Sequence, residues 1–215
     1  MAPKNKFTRE QIISAALELT RKQGASALTA RALAKALGVS TQPVFTCFTT
    51  MEEAREEVCT AAWRVYQGYV ERGLSMDPPF FGVGVQYLAF ARQEPELYKL
   101  LFLQQNKEGK SEALAAMERS RVLVRPSLMK IYRMEEAAAD LYFRNMWLVV
   151  HSLATLLVTG GCTYGPEEMK KILTGFSLSQ CMACKEIPGF VSGTYDRDAL
   201  FTKLIQGENS GEAAV

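Results

Sequence analysis

The stretch T-A-R-A-L-A-K-A-L-G-V-S-T-Q-P-V-F-T-C-F, residues 29–48, sets two short helices around a glycine. Ala32, Leu33, Ala36 and Leu37 form an apolar stripe at helical spacing, Gly38 supplies a turn, and a second helix opens at Ser40. Two short helices joined by a glycine-bearing turn make a helix-turn-helix, whose second helix is shaped to lie in the major groove of double-stranded DNA. At the start of a chain with a larger body behind it, such a unit points to a regulator of transcription rather than an enzyme.

Working outward, the neighbouring residues mark helix starts. Thr8 and Gln11 form a capping box, with Phe7 and Ile12 as its hydrophobic staple. Thr29 is the next N-cap, stapled by Leu28 and Leu33, and Ser40 the third, stapled by Val39 and Val44. Thr50 and Glu53 form a second capping box and start a fourth helix. Pro43 falls in a first turn, where its missing N–H costs nothing.

This block, roughly residues 6–60, resembles the TetR family of one-component bacterial regulators. The residues that carry the likeness are I-I-S-A-A-L-E-L, Q-G-A-S-A-L-T, A-L-A-K-A-L-G-V-S and V-F-T-C-F, all at the family's spacing. The resemblance implies a dimeric, all-α protein: an N-terminal three-helix helix-turn-helix domain, then a C-terminal helical domain that binds a small-molecule effector and dimerises. Phe45 stands where a tyrosine commonly donates to a phosphate, Cys47 where tyrosine or histidine is frequent, and Met51 where a lysine is usual. Each replacement removes a phosphate contact, so the expected DNA grip is weaker or less salt-sensitive than the family norm.

Charge is segregated along the 215 residues. Residues 1–50 hold seven Lys/Arg against two acidic side chains, whereas the rest hold 18 basic and 21 acidic. A basic head on a slightly acidic body fits a DNA reader. The N-terminus M-A-P-K-N-K-F-T-R-E has no apolar signal core. The longest apolar run, 146–158, is broken by His151, Ser152 and Thr155 and falls short of the roughly 20 residues of a membrane span. A cytoplasmic protein with five reduced cysteines and no membrane segment is expected.

The predicted domains are 1–50 for DNA binding, 51–205 for effector binding and dimerisation, and 206–215 as a flexible tail. Within the body, helices are predicted over 51–72, 80–93, 95–105, 111–132 (with Pro126 as a kink), 137–159 and 167–184, with 73–79 as a linker. The segment Tyr87 to Phe102 more loosely resembles the regulatory domain of one TetR subset, the WHG type.

Candidate sites follow from residue chemistry. Thr41, Gln42, Pro43 and Thr46 are the candidates for base edges, since Gln42 can bond adenine N6 and N7 and a threonine methyl can meet a thymine methyl. Val44 and Phe48 face the core. Arg31 and the backbone amides of Thr29 and Ala30 suit a phosphate, and Lys4 and Lys6 form a basic arm. With Ser40, Phe45 and Cys47 these make up the expected contact set to a palindromic operator. Trp63, Tyr66, Tyr87, Phe90, Tyr98, Phe102, Trp147 and His151 are the groups able to converge on a small-molecule pocket. Trp147, Val150, Leu153, Leu157, Ile172, Leu173 and Phe176 lie on two helices apolar on more than one face, the expected homodimer interface; filling a monomer core is the alternative.

No Gly-rich phosphate loop, nucleophile elbow or metal cluster stands out, so no catalytic residue, metal or cofactor is assigned. Cys181-x-x-Cys184 with Cys162 suits a buried packing role first, and a thiol sensor or a zinc site as alternatives, although zinc sites normally need four ligands or a second pair. The expected function is a ligand-responsive regulator, a repressor released from its operator by a small molecule. The alternatives are an interaction module with weakened DNA binding and a redox-sensing regulator.

Overall fold

The computed structural model describes residues 7–104 and 112–206, and the described residues form helices joined by turns and short connections, without strands. Thr8 caps α1 (Arg9–Gln23): its hydroxyl accepts the Gln11 N–H while the Gln11 side chain accepts the Thr8 N–H, the full capping box. Ile12, Ala16 and Leu19 recur at i, i+4 and i+7 and are buried. A short 3₁₀ turn (Ala25–Ala27) leads to α2 (Ala30–Leu37), capped by Thr29 and closed by Gly38 at φ 66°, a left-handed geometry that glycine adopts without a Cβ penalty. Leu33 and Ala34 turn inward on α2, Ala32 and Leu37 are half-buried and Ala36 is exposed, so Ala34 takes the inward place that the sequence spacing gave to Ala36.

The reading helix α3 (Gln42–Cys47) opens later than expected. Thr41 precedes it with helical angles (φ −72°, ψ −15°) and makes no side-chain cap, and Ser40 lies one residue further out. Pro43 at the second helical position has no N–H, which leaves fewer amides in need of a cap. α4 (Met51–Leu74) is capped by Thr50, but Glu53 does not return to the Thr50 amide; its carboxylate takes the Thr49 N–H at 2.7 Å. The second capping box is therefore half formed, its acid shifted one residue outward.

α5 (Pro79–Gln93) follows a four-residue turn, so the linker is shorter than 73–79. The helix predicted over 95–105 is instead α6 (Pro95–Tyr98) running into a π turn, Lys99–Leu103; Gln105 lies outside the described residues. α7 (Glu112–Tyr132) carries Pro126 internally, α8 (Glu136–Val158) and α9 (Pro166–Glu186) are long, and α10 (Arg197–Gln206) was not foreseen. Gln206 closes α10, and the tail from 207 onward lies outside the described residues.

Two apolar clusters organise these helices. The first gathers Ile12, Ala16, Leu28, Leu33, Val44, Phe48, Ala54 and Val58 from α1 to the first turns of α4. The second fills the space between α4 and α9. α8 is long and apolar enough by composition to cross a membrane, yet it buries Tyr142, Phe143, Met146, Trp147 and Val150 in that second cluster, as the central helix of a core does. Head and body also touch away from α4: Arg21 Nε reaches Glu94 Oε2 at 2.7 Å, and Leu100 packs against the head cluster.

Candidate nucleic-acid interface and effector site

On α3 the apolar residues separate by face. Val44 and Phe48 are 0% and 1% exposed and anchor the helix in the head core. Gln42, Phe45 and Thr46 are exposed, and Thr41, Pro43 and Cys47 are half-buried. Phe45 leaves 53% of its surface open, an unusual outlay for an aromatic ring with no partner to cover it. Thr46 Oγ donates to the Gln42 carbonyl at 3.0 Å, so its methyl rather than its hydroxyl is the outward group. No Lys or Arg lies on α3. Ser40, Thr29 and Arg31 are exposed beside it. Thr29 Oγ accepts the Ala32 N–H at 3.2 Å, leaving the amides of Ala30 and Arg31 at an open helix N-terminus. Lys4 and Lys6 lie outside the described residues. Met51 is half-buried against the head cluster, turned into apolar surroundings.

Arg9 fixes the pose of α3. Its Nη1 donates to the carbonyl of Cys47, the last residue of α3, at 2.5 Å. Its Nη2 reaches Glu53 Oε1 at 2.9 Å and Glu57 Oε1 at 2.8 Å on α4, and its guanidinium lies over the Phe48 ring at 5.1 Å. One side chain of α1 thus joins the open C-terminal end of the reading helix to the first turns of α4. The Arg9 contact and the Thr49 amide together hold the Glu53 carboxyl below the usual carboxylate range. Sequence reasoning counted Arg9 only as one positive charge; its pairing needs contacts 38, 44 and 48 residues away. With Arg9 and Arg21 both in ion pairs, Lys22, Arg31 and Lys35 are the head cations without one among the described residues.

In the body, the eight candidate pocket residues converge. Trp63, Tyr66, Tyr87, Phe90, Tyr98 and Phe102 make a chain of edge-on and tilted ring contacts with centroids 5.1–6.4 Å apart. His151 joins it, stacked on Trp147 at 4.6 Å and 10°. The hydroxyls of Tyr87 and Tyr98 each lie 3.0 Å from His151 Nδ1, and Tyr98 Oη is also 3.1 Å from Thr155 Oγ1. Burial pushes the imidazole below its ordinary value, favouring the neutral ring, and raises the tyrosine hydroxyls. Tyr66, Tyr87 and Trp147 line an inner cavity, and Trp63 and Tyr66 line a cleft between α4 and α7; Phe90, Tyr98, Phe102 and His151 border neither. Ser120, which borders both spaces, carried no sequence signal.

Trp147, Val150, Leu153 and Leu173 are buried within the single chain, Leu157 and Ile172 are half-buried, and Phe176 is 48% exposed. The outward apolar residues of α8 and α9 are Leu148, Leu156, Phe176, Leu178 and Met182. On these helices periodicity marks apolar faces but does not tell which one the monomer itself covers. All five cysteines are free and half-buried, and burial raises the thiols of Cys47, Cys181 and Cys184. Raised thiols oppose the thiolate that redox sensing needs.

Against known protein families, residues 12–58 match the profile described as bacterial regulatory proteins, tetR family. Residues 80–174 match the one described as tetracyclin repressor-like, C-terminal domain. No curated protein matches the chain. The two matches fall on the helix-turn-helix head and on the helices around the aromatic cluster, in family order. The chain belongs to the TetR family: it is a DNA-binding transcriptional regulator with a helix-turn-helix head and a helical C-terminal domain.

Proposed function

We propose that the protein is a ligand-responsive repressor, without enzymatic activity, that works in the cytoplasm as a homodimer on a palindromic operator. The domain limits proposed are 1–50 for DNA binding, 51–205 for effector binding and dimerisation, and 206–215 as a tail. α3 enters the major groove with Gln42 toward an adenine, and Phe45 and the Thr46 methyl toward thymine methyls. Thr41 and Pro43 border that face, with Ser40, Cys47, Arg31 and the Thr29–Ala30 amides near the backbone. Lys4 and Lys6 add a basic arm.

The observation that carries the reading is α4. Its first turns hold the reading helix through Arg9, and its later turns supply Trp63, Tyr66, Val70 and Leu74 to the cleft of the body. A 24-residue helix spans about 36 Å, so a small rotation at the cleft end moves the head appreciably. An effector that binds one orientation of α4 better shifts the population toward it and takes the two heads out of register with successive grooves. The outward apolar residues of α8 and α9 support pairing across a twofold axis.

A reporter placed behind the DNA that flanks this gene tests the proposal. Co-expression of the protein lowers the reporter, and a small molecule that binds the body restores it. A rise on co-expression makes the protein an activator. An unchanged reporter rules out the regulatory role at that site.

A further inference from the structure

α10 carries an apolar stripe that its own chain leaves largely uncovered. The Asp196 carboxylate accepts the Ala199 N–H at 2.9 Å and the Asp196 carbonyl accepts the Leu200 N–H at 3.1 Å, which fixes the start of the helix. Leu200, Phe201, Leu204 and Ile205 then recur at helical spacing. Leu200 is half-buried, but Phe201, Leu204 and Ile205 leave 57%, 77% and 81% of their surfaces open. No residue of α10 joins either apolar cluster of the described residues. A helix of ten residues is marginal in water without tertiary packing, so the stripe calls for a partner.

The connection from α9 gives this helix a firm base. The Phe190 N–H donates to the Ile187 carbonyl at 3.1 Å and the Thr194 N–H to that of Gly189 at 2.9 Å. Ser192 Oγ lies 2.8 Å from Thr194 Oγ1, the Phe190 and Tyr195 rings meet at 5.6 Å, and Val191 rests against the body cluster.

α9 itself has more outward apolar surface than one partner helix covers. Leu178 and Met182 lie one turn apart, whereas Phe176 sits about 120° round the helix from Met182. A helix apolar on two sides needs burial on both. A second copy of the chain covers the stripe and both sides of α9 with no further molecule, because in an isologous pair each chain offers the other the same surfaces. A lipid surface fits less well. Arg197 and Lys203 against Asp198 leave α10 a net charge of +1, whereas a membrane-lying helix carries many Lys and Arg on its polar face.

We propose that α10 is a clasp exchanged between protomers. Leu178 and Met182 pair across the twofold axis, and Phe201, Leu204 and Ile205 lie on the flank of α9 at the partner's Phe176. This rests on the homodimer reading and adds the segment that locks it.

Full-length wild type, Leu204→Glu, Ile205→Glu and Met182→Glu proteins are compared by sedimentation velocity over a concentration series. Leu204 and Ile205 lie outside the monomer core, so their charged variants keep the wild-type circular dichroism. In each of the two the dimer dissociation constant rises roughly 10²-fold or more, since every dimer loses two buried apolar side chains. Leu204→benzoylphenylalanine protein, mixed from chains of two isotopic labels and irradiated, crosslinks one label to the other at the α9 peptide that holds Phe176.

A wild type monomeric at every concentration refutes the dimer and the clasp with it. A dimer that Met182→Glu breaks and both α10 variants leave unchanged upholds the dimer and refutes the clasp. Crosslinks that are absent, stay within one label or fall outside α9 overturn it. So does binding of the wild type, but not of Leu204→Glu, to vesicles of phosphatidylcholine and phosphatidylglycerol, which places the stripe on a membrane.

Discussion

Gln42 and Phe45 lie side by side on a helix without a basic side chain, one offering a bidentate amide and the other an uncovered ring. Sequence recognition on such a surface rests on base edges and methyl groups rather than on charge. Replacing Gln42 with Ala is expected to cost about 1–3 kcal/mol per half-site and to relax the preference at one A·T pair in each half-site, measured by anisotropy on matched and substituted DNA. Unchanged affinity removes Gln42 from the readout. His151 makes a different prediction, on stability. Burial favours its neutral form, so the unfolded chain takes up the proton first. The contribution is complete above the ordinary value of about 6.5 and is lost as pH falls through the lower folded value. Urea unfolding of the wild type therefore shows stability declining below about pH 6.5, and in His151→Gln that part of the slope is absent. An identical slope in both proteins assigns the decline to other groups.

At the scale of elements, the arrangement of α1, α3 and α4 depends on Arg9. Arg9→Met frees the Cys47 carbonyl and the Glu53 and Glu57 carboxylates while keeping the stem over Phe48. Operator affinity is expected to fall on the order of tenfold, the scale of a lost charge-assisted hydrogen bond, with the salt dependence unchanged because Arg9 orients α3 and does not touch phosphate. A salt slope reduced by about two, one per protomer, makes it a phosphate contact instead. On α8 and α9, Phe176→Glu or Met182→Glu places charge on the outward apolar face and yields a monomer by light scattering; a persistent dimer moves the interface elsewhere. These elements also mark how far the sequence could be read. The caps at Thr8, Thr29 and Thr50 are local, each bond closing within three residues, and were legible. The third cap was misplaced because Pro43 changes how many amides the turn must satisfy. The π turn at Lys99–Leu103 has no composition signal, whereas α10 was overlooked although Leu200, Phe201, Leu204 and Ile205 recur at helical spacing behind Asp196, whose carboxylate accepts the Ala199 N–H. The aromatic site was legible as residue types; which rings bound a cavity depends on packing among α4, α5, α7 and α8.

Over the whole molecule, positive charge gathers in the head and the body is slightly acidic, yet two head arginines are taken up in holding the fold together. Among the described residues the head cations outside ion pairs are Lys22, Arg31 and Lys35, to which the proposed arm adds Lys4 and Lys6. On the proposed reading, affinity then depends on two heads acting together through the dimer and on the fit of α3 to its bases. The direct test is fluorescence anisotropy of the DNA flanking this gene against random DNA of equal length, across a salt series. The account predicts two protomers per palindrome and a preference of at least about 10³ over random DNA. It also predicts a log–log slope no steeper than about −9, the limit for two heads with five cations each at about −0.9 per contact. Equal affinity for both DNAs, with a steep slope, would contradict it.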